Sequence, residues 1–329
     1  MFRVFISLAC AFFAVIPAAA QQQQLKFGKD GRFKIVQFTD IHYKTGKSAS
    51  KEAVNNIAAV LDAEKPDLVV ITGDLVFAKG VRNALDSIAA PIVARNIPFA
   101  TAFGNHDEQF DMTPSAMYDM LQAMPGSVLP ERGDAERPDY VIEVMASDGS
   151  RPAAVLYCID SHGEAQDPTI GGYAWITDNQ IDWYREQSKR YTEANGGKPL
   201  PALAFFHIPV PEFDYAVADG KHMMKGTKGE AVCCPKINTG MFAAMREAGD
   251  VTGIFCGHDH DNDYAVEYFG ILLAYGRYTG ANTVYNHLLP KGARVIELNE
   301  GSRDFDTWIR LVDGSVIQKS SFPADFRKK

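Results

Sequence analysis

The chain has 329 residues, 46% of them hydrophobic and 22% charged, with a net charge of −8 and a pI of about 5.5. That length is ample for a buried core, in one large domain or two ordinary ones. The acidic balance argues against a nucleic-acid or anionic-membrane partner, because phosphate backbones are met with Lys and Arg; a small phosphorylated substrate stays open, since bound divalent cations would supply the positive charge.

The first stretch, MFRVFISLACAFFAVIPAAAQ, carries one Arg, an apolar run and Ala18-Ala19-Ala20 before Gln21. This is the pattern of a secretory signal with an A-x-A cleavage site. It is too short and wrongly flanked for a membrane span. Ser7 stands where a lipoprotein signal prefers Leu, so no lipid is expected on Cys10. Residues 1–20 therefore read as a signal peptide and 21–329 as one mature domain, exported to the periplasm or the cell exterior. Of the remaining cysteines, Cys158 and Cys256 lie in apolar runs and read as small hydrophobes. Cys233 and Cys234 are adjacent, with no second Cys or His pair at zinc spacing.

After the Gln21–Gln24 run, read as an unstructured start, strand and helix patterns alternate. RFKIVQFTD is β-rich. Val54, Ile57 and Leu61 then recur at helical spacing, with Ser50 as the expected N-cap. PDLVVITGD is a continuous apolar strand. Val81, Leu85, Ile88 and Ile92 mark a second helix, and IPFATAFGNHD a third strand. This β-α-β-α-β order implies parallel strands joined by right-handed crossovers. Residues 108–150 read as turn-rich linkers around a short helix near Met117–Met124. AAVLYCID is a strand, and Thr177 with Gln180 forms a capping box before a helix carrying Ile181, Tyr184 and Tyr191. PALAFFHIP and VTGIFCGHDH are two more buried strands, with a helix at Met241–Ala248 between them. ARVIEL and FDTWIRLV, joined at NEGSRD, read as an antiparallel hairpin.

Five of these apolar runs end in residues of metal-ligand type. They deliver Asp40-Ile41-His42, Gly73-Asp74, Gly104-Asn105-His106-Asp107, His207 and Gly257-His258-Asp259-His260. Each piece alone has an ordinary explanation: Gly-Asp and Gly-Asn are turn dipeptides, and a single His at a strand end is usually satisfied by its neighbours. Together they are harder to dismiss, because five of the chain's eight histidines sit at these ends. Ligands in open α/β sheets bind beyond the carboxyl ends of the strands. In an extended segment His258 and His260 face the same way, and Asp259, Asp261 and Asp263 point away from them. Those three acids are expected to support the site or to be solvated.

The stretches FTDIH, ITGDLV, FGNHDE, FFHIP and GHDHDND resemble the five motifs of the calcineurin-type metallophosphoesterases, and FFHIPVPEF and YGRYTG are similar to the short purple-acid-phosphatase-like branch. The likeness covers essentially the whole mature chain. It implies an α/β fold, a four-layer α/β/β/α sandwich, with two metal ions (Fe, Mn or Zn) at the strand ends. By motif position, Asp40, His42 and His260 would hold one metal and Asn105, His207 and His258 the other, with Asp74 bridging. Two metals ~3.5–4 Å apart can clamp a phosphoryl group and activate a water, and oxygen and imidazole donors suit such ions better than soft thiolate metals. His106 would bind the phosphoryl oxygens or protonate the leaving group, with Asp107 orienting its imidazole. The implied reaction is in-line attack of metal-bound hydroxide on a phosphate monoester, without a phosphoenzyme. One departure is plain: purple acid phosphatases carry a Tyr ligand three residues after the bridging Asp, and here that residue is Phe77.

A phosphodiesterase or nucleotide pyrophosphatase would share the same motifs. A protein that binds metal and phosphate without turnover is the alternative of a different class; the intact His106-Asp107 pair argues against it. Pocket walls are expected from residues 108–135, 161–176 and 209–236, with His162, Tyr173, Glu212, His222 and Arg277 as rim candidates. Arg277 leads them because a guanidinium matches phosphate.

Overall fold

The computed structural model describes residues 24–218 and 220–327; the expected signal peptide, its cleavage point and Cys10 lie outside them. Thirteen strands form two sheets among these residues. The first sheet runs, edge to edge, β13 (Val316–Phe322), β12 (Phe305–Leu311), β11 (Gly292–Asn299), β1 (Arg32–Phe38), β2 (Leu68–Thr72) and β3 (Phe99–Ala102). The second runs β4 (Tyr140–Met145), β5 (Pro152–Cys158), β6 (Ala202–Phe205), β8 (Val251–Cys256), β10 (Ile271–Tyr275), β9 (Ala265–Tyr268) and β7 (Met224–Lys225). β1, β2 and β3 are parallel, and so are β5, β6, β8 and β10. The helices are α1 (Ser50–Glu64), α2 (Val81–Val93), α3 (Pro114–Gln122), α4 (Asp178–Ala194), α5 (Glu212–Ala218) and α6 (Met241–Ala248).

The period-2 alternation of strand side chains builds the layers. Leu156 and Cys158 of β5, Phe205 of β6, Phe255 of β8 and Leu272 of β10 join the core shared with the first sheet. Their neighbours Val155, Tyr157, Ala204, Ile254 and Leu273 turn the other way, onto Ile181 and Tyr184 of α4 and Met241 and Met245 of α6. Across the sheets, the rings of Phe255 and Phe305 meet edge to face at 6.1 Å. On the far side of the first sheet, Ile57 and Leu61 of α1 and Leu85 and Ile88 of α2 are buried in that core. The result is a four-layer α/β/β/α sandwich. A fully buried Leu, Ile or Phe contributes roughly 1.5–3 kcal/mol, so the core is large enough to carry polar residues elsewhere.

Three local expectations need correcting. Ser50 is the first helical residue rather than the N-cap, a place taken by Ala49 with no side-chain bond; the Ser50 hydroxyl instead donates to the Lys44 carbonyl and accepts from the Lys44 amide. The helix expected near Met117–Met124 starts earlier, behind Thr113, whose hydroxyl accepts from the Ala116 amide. Within the supposed linker, β4 pairs antiparallel with β5.

Candidate functional site

All seven expected ligands leave the C-terminal ends of parallel strands and are buried. Asp40 and His42 follow β1, Asp74 follows β2, Asn105 follows β3, His207 follows β6, and His258 and His260 follow β8. Two groups of donors form. In Asp40, His42, Asp74 and His260, and again in Asp74, His207 and His258, one donor atom per residue lies within 4.8 Å of the others. Asp74 belongs to both. Its Oδ2 stands 3.5 Å from His42 Nε2 and 3.3 Å from His207 Nε2, while its Oδ1 accepts the His106 backbone amide at 2.9 Å.

The turns that present these residues are strained. Asp40, His42, Asp74 and His258 have φ of 53°, 46°, 53° and 78°, in the left-handed region that non-glycine residues seldom enter. Such conformations cost on the order of 1–3 kcal/mol each and persist where surrounding structure enforces them. Close approach explains Gly257: a Cβ there would lie 2.7 Å from Asp40 Oδ2. With glycine in that place, the His258 amide reaches the Asp40 carboxylate at 3.1 Å, joining the β8 turn to the β1 turn.

Electrostatics favour cations. Burial pulls His42 and His258 well below the usual imidazole range and His260 down to about 4, so all three offer neutral lone pairs. Burial, opposed by the charge of His207, pushes Asp40 up to about 7. Burial alone would lower His207 and raise Asp74; their mutual charge and hydrogen bond outweigh it, lifting His207 to about 10 and holding Asp74 well below the carboxylate range. A proton on His207 thus balances Asp74, a task a metal cation performs equally. Among the described residues, Asn105 Oδ1, His42 Nδ1 and His258 Nε2 are buried without a hydrogen-bond partner. An unpaired buried acceptor costs about 1–3 kcal/mol, so Asn105 in particular fits a cation. Other bonds fix the rings. His207 Nδ1 meets the Thr72 carbonyl at 2.7 Å, and His260 Nδ1 meets the Tyr285 carbonyl at 2.8 Å, which turns each Nε2 inward. Nothing in the sequence around Tyr285 pointed to that role.

The expected pairing of His106 with Asp107 is not what forms. Asp107 is fully buried: Oδ1 accepts from the amides of Leu75 and Val76 at 2.8 and 3.2 Å, and Oδ2 from Gly104 at 2.8 Å. It therefore ties the β2 turn to the β3 turn. His106 is half-buried, and its Nδ1 lies 2.8 Å from Gln109 Oε1 instead. Burial and the nearby Asp74 charge push Asp107 up to about 6. Asp107→Asn would place an amide NH₂ against one or more of those donors. Charge-assisted hydrogen bonds are worth about 1.5–3 kcal/mol, so the variant is expected to lower Tm and weaken metal binding together. Thermal melts with and without chelator check this; an unchanged Tm would mean that the carboxylate does not hold the turns.

The rim differs from expectation as well. Tyr173 does reach the site, its ring edge-on to His258 at 4.4 Å between centroids. Arg277 is off the rim: it is 3% exposed, ion-paired with Asp263 and bonded to the Pro290 carbonyl. His162 does line a neighbouring cavity, but both its ring nitrogens are engaged, with Asp160 at 3.1 Å and Gln180 at 2.7 Å. Glu212 accepts from Asn238, and His222 packs on Tyr268. Asp259, Asp261 and Asp263 are buried rather than solvated. Asp259 accepts from Tyr275 and the Cys233 amide, Asp261 binds His287, and Asp263 binds Arg277 and the Thr227 amide. They anchor the loop that carries His258 and His260. Cys158, Cys233, Cys234 and Cys256 are free thiols. No helix among the described residues is long and apolar enough to cross a membrane.

Residues 33–262 match the family model described as calcineurin-like phosphoesterase. An Arabidopsis thaliana protein named probable inactive purple acid phosphatase 29 is 32% identical, over 95% of this chain and 91% of its own length. Phosphatase DCR2 of Saccharomyces cerevisiae is 30% identical over 92% of this chain and 58% of its own. Two solved structures share the fold. A dimetal phosphatase from Danio rerio superposes with a TM-score of 0.59 at 13% identity, covering 88% of this chain and 98% of that one. A purple acid phosphatase from yellow lupin seeds gives 0.57 at 14% identity, covering 90% and 54%.

Proposed function

Because this chain belongs to the calcineurin-like phosphoesterase family, we propose that it is an exported dimetal phosphatase that hydrolyses small phosphate monoesters. The observation that carries the reading is Asp74, shared between two buried donor groups with His106 beside them. Asp40, His42 and His260 would hold one cation, Asn105, His207 and His258 the other. Two such cations supply charge neutralisation for the phosphoryl group and a nucleophilic water at neutral pH. The chain's part is to fix those donors, exclude bulk water and move a proton at His106. A cavity of about 600 Å³, lined by Glu108, His162, Gly163 and Trp175 among others, lies beside the turn that carries Asn105, since a Cβ on Gly163 would lie 3.7 Å from the Asn105 Cα. Its size suits a small-molecule alcohol.

The name of the Arabidopsis relative raises a second reading, metal and phosphate binding without turnover. The complete donor set and the intact His106 favour an enzyme. One sample settles the choice: metal analysis, then turnover of a panel of monoesters and diesters. Monoester hydrolysis with two bound metals is the expected result; preference for diesters would make the chain a phosphodiesterase, and metal without turnover a binding protein. Recovery of exported protein beginning at Gln21 would support the signal-peptide reading.

Phe77 adds an expectation about colour. Its ring packs edge-on against His42 at 5.2 Å and His106 at 4.5 Å, with no hydroxyl to ligate iron. Iron-loaded protein should bind about two metals per chain and show no visible tyrosinate charge-transfer band. A purple preparation would mean that another tyrosine ligates.

A further inference from the structure

We infer that Gln109 is the positioning residue for His106: its amide oxygen keeps a proton on Nδ1, so that Nε2 is the nitrogen that gives its proton to the departing alcohol. Three observations carry this. Gln109 Oε1 lies 2.8 Å from His106 Nδ1. The chain turns back at this point, the Gln109 amide donating to the His106 carbonyl, so residue 109 faces residue 106. The neighbouring carboxylate, Asp107, is filled by three backbone amides, two from the β2 turn and one from its own, and makes no bond to the ring.

A carbonyl oxygen facing Nδ1 accepts a hydrogen bond and repels a bare lone pair. It therefore disfavours the neutral tautomer protonated on Nε2 and favours the one protonated on Nδ1. The bond balance follows. As the oxygen of the attacking water bonds to phosphorus, its proton passing to solvent, the phosphorus–oxygen bond of the ester breaks, the Nε2–H bond of the imidazolium breaks and an O–H bond forms on the leaving alcohol. The ring is left neutral with its remaining proton on Nδ1, in the form Gln109 already holds. Unlike a carboxylate, the amide does this without adding a negative charge beside Asp74. The use of the proton rests on the phosphatase reading above; the tautomer does not.

The test therefore has two readouts. In ¹⁵N-labelled, zinc-loaded protein at one mildly alkaline pH, the His106 ring should be protonated on Nδ1 in the wild type and shift to Nε2 in Gln109→Leu. In kinetics, Gln109→Leu should lose about tenfold in kcat on an alkyl phosphate, a fraction of the total that general acid help supplies, with KM and metal content unchanged. The loss on nitrophenyl phosphate should be much smaller, because that leaving group needs little protonation. Gln109→Glu restores an acceptor and should recover most of the alkyl-ester rate. An unchanged tautomer in Gln109→Leu, or a rise in KM with equal loss on both esters, overturns the inference. A wild type that turns over no ester defeats the phosphatase reading, while the spectrum still decides the role of Gln109.

Discussion

Asp74→Asn should leave at least one of the two proposed metal positions empty and lose nearly all turnover while remaining folded. The carboxylate sits between His42 and His207, at 3.5 and 3.3 Å from their Nε2 atoms, and is the one residue common to both donor groups. Two cations brought to neighbouring positions repel; even at an effective dielectric near 20, unit charges 4 Å apart interact by about 4 kcal/mol, and divalent charges by more. A carboxylate between them offsets that repulsion and a neutral amide does not. The carboxamide of the variant can still accept the His106 backbone amide through its oxygen, so the turn itself need not collapse. The core spans both sheets and their flanking helices, and this substitution removes none of its apolar side chains. Metal content, circular dichroism and kcat on one preparation give the answer. Two bound metals with near-normal turnover would show that another residue bridges them.

The second large effect is expected at His106. If its Nε2 protonates the leaving oxygen, its worth depends on how basic that oxygen is. An alkyl phosphate expels a strongly basic alkoxide; a nitrophenyl phosphate expels a weakly basic phenolate. General acid help is typically ~10²–10⁴-fold, so His106→Asn should lose about that much in kcat/KM on alkyl esters and clearly less on nitrophenyl esters. Metal content should not change, because the ring is not among the donor groups. An equal loss on both esters would assign His106 to binding the phosphoryl group; loss of metal would make it a ligand. This pattern differs from that of Asp107→Asn, which is expected to act on stability and metal binding because its carboxylate joins two turns.

Much of the architecture was legible in the sequence because it depends on local pattern. Continuous apolar runs separated by helical spacing imply parallel strands, and β1–β2–β3 and β5–β6–β8 are parallel. The β9–β10 hairpin escaped, since its turn residues Phe269 and Gly270, at φ 45° and 86°, lack the Asn-Gly signature such a turn usually carries. The donor residues were legible for a related reason: chemical type and position at a strand end are both written in the chain, and parallel strands bring those ends to one edge. Their hydrogen-bond partners were not. Asp107 looked like the partner of His106 because it is adjacent, yet adjacent side chains diverge, and packing set the Leu75 and Val76 amides of the β2 turn, with the Gly104 amide of its own turn, around its carboxylate while Gln109, one turn onward, reached the ring. Arg277 looked like a phosphate binder because guanidinium suits phosphate, but the fold buries it against Asp263. Asp259, Asp261 and Asp263 fall outside the donor groups as expected, but not through strand alternation, because the segment turns, with His258 at φ 78° and the Asp259 amide bonded to the Gly257 carbonyl; the pattern was silent on their partners. The segments that cover these acids, reaching in through Cys233, His287 and Thr227, are distant in sequence and meet that loop only in the folded chain.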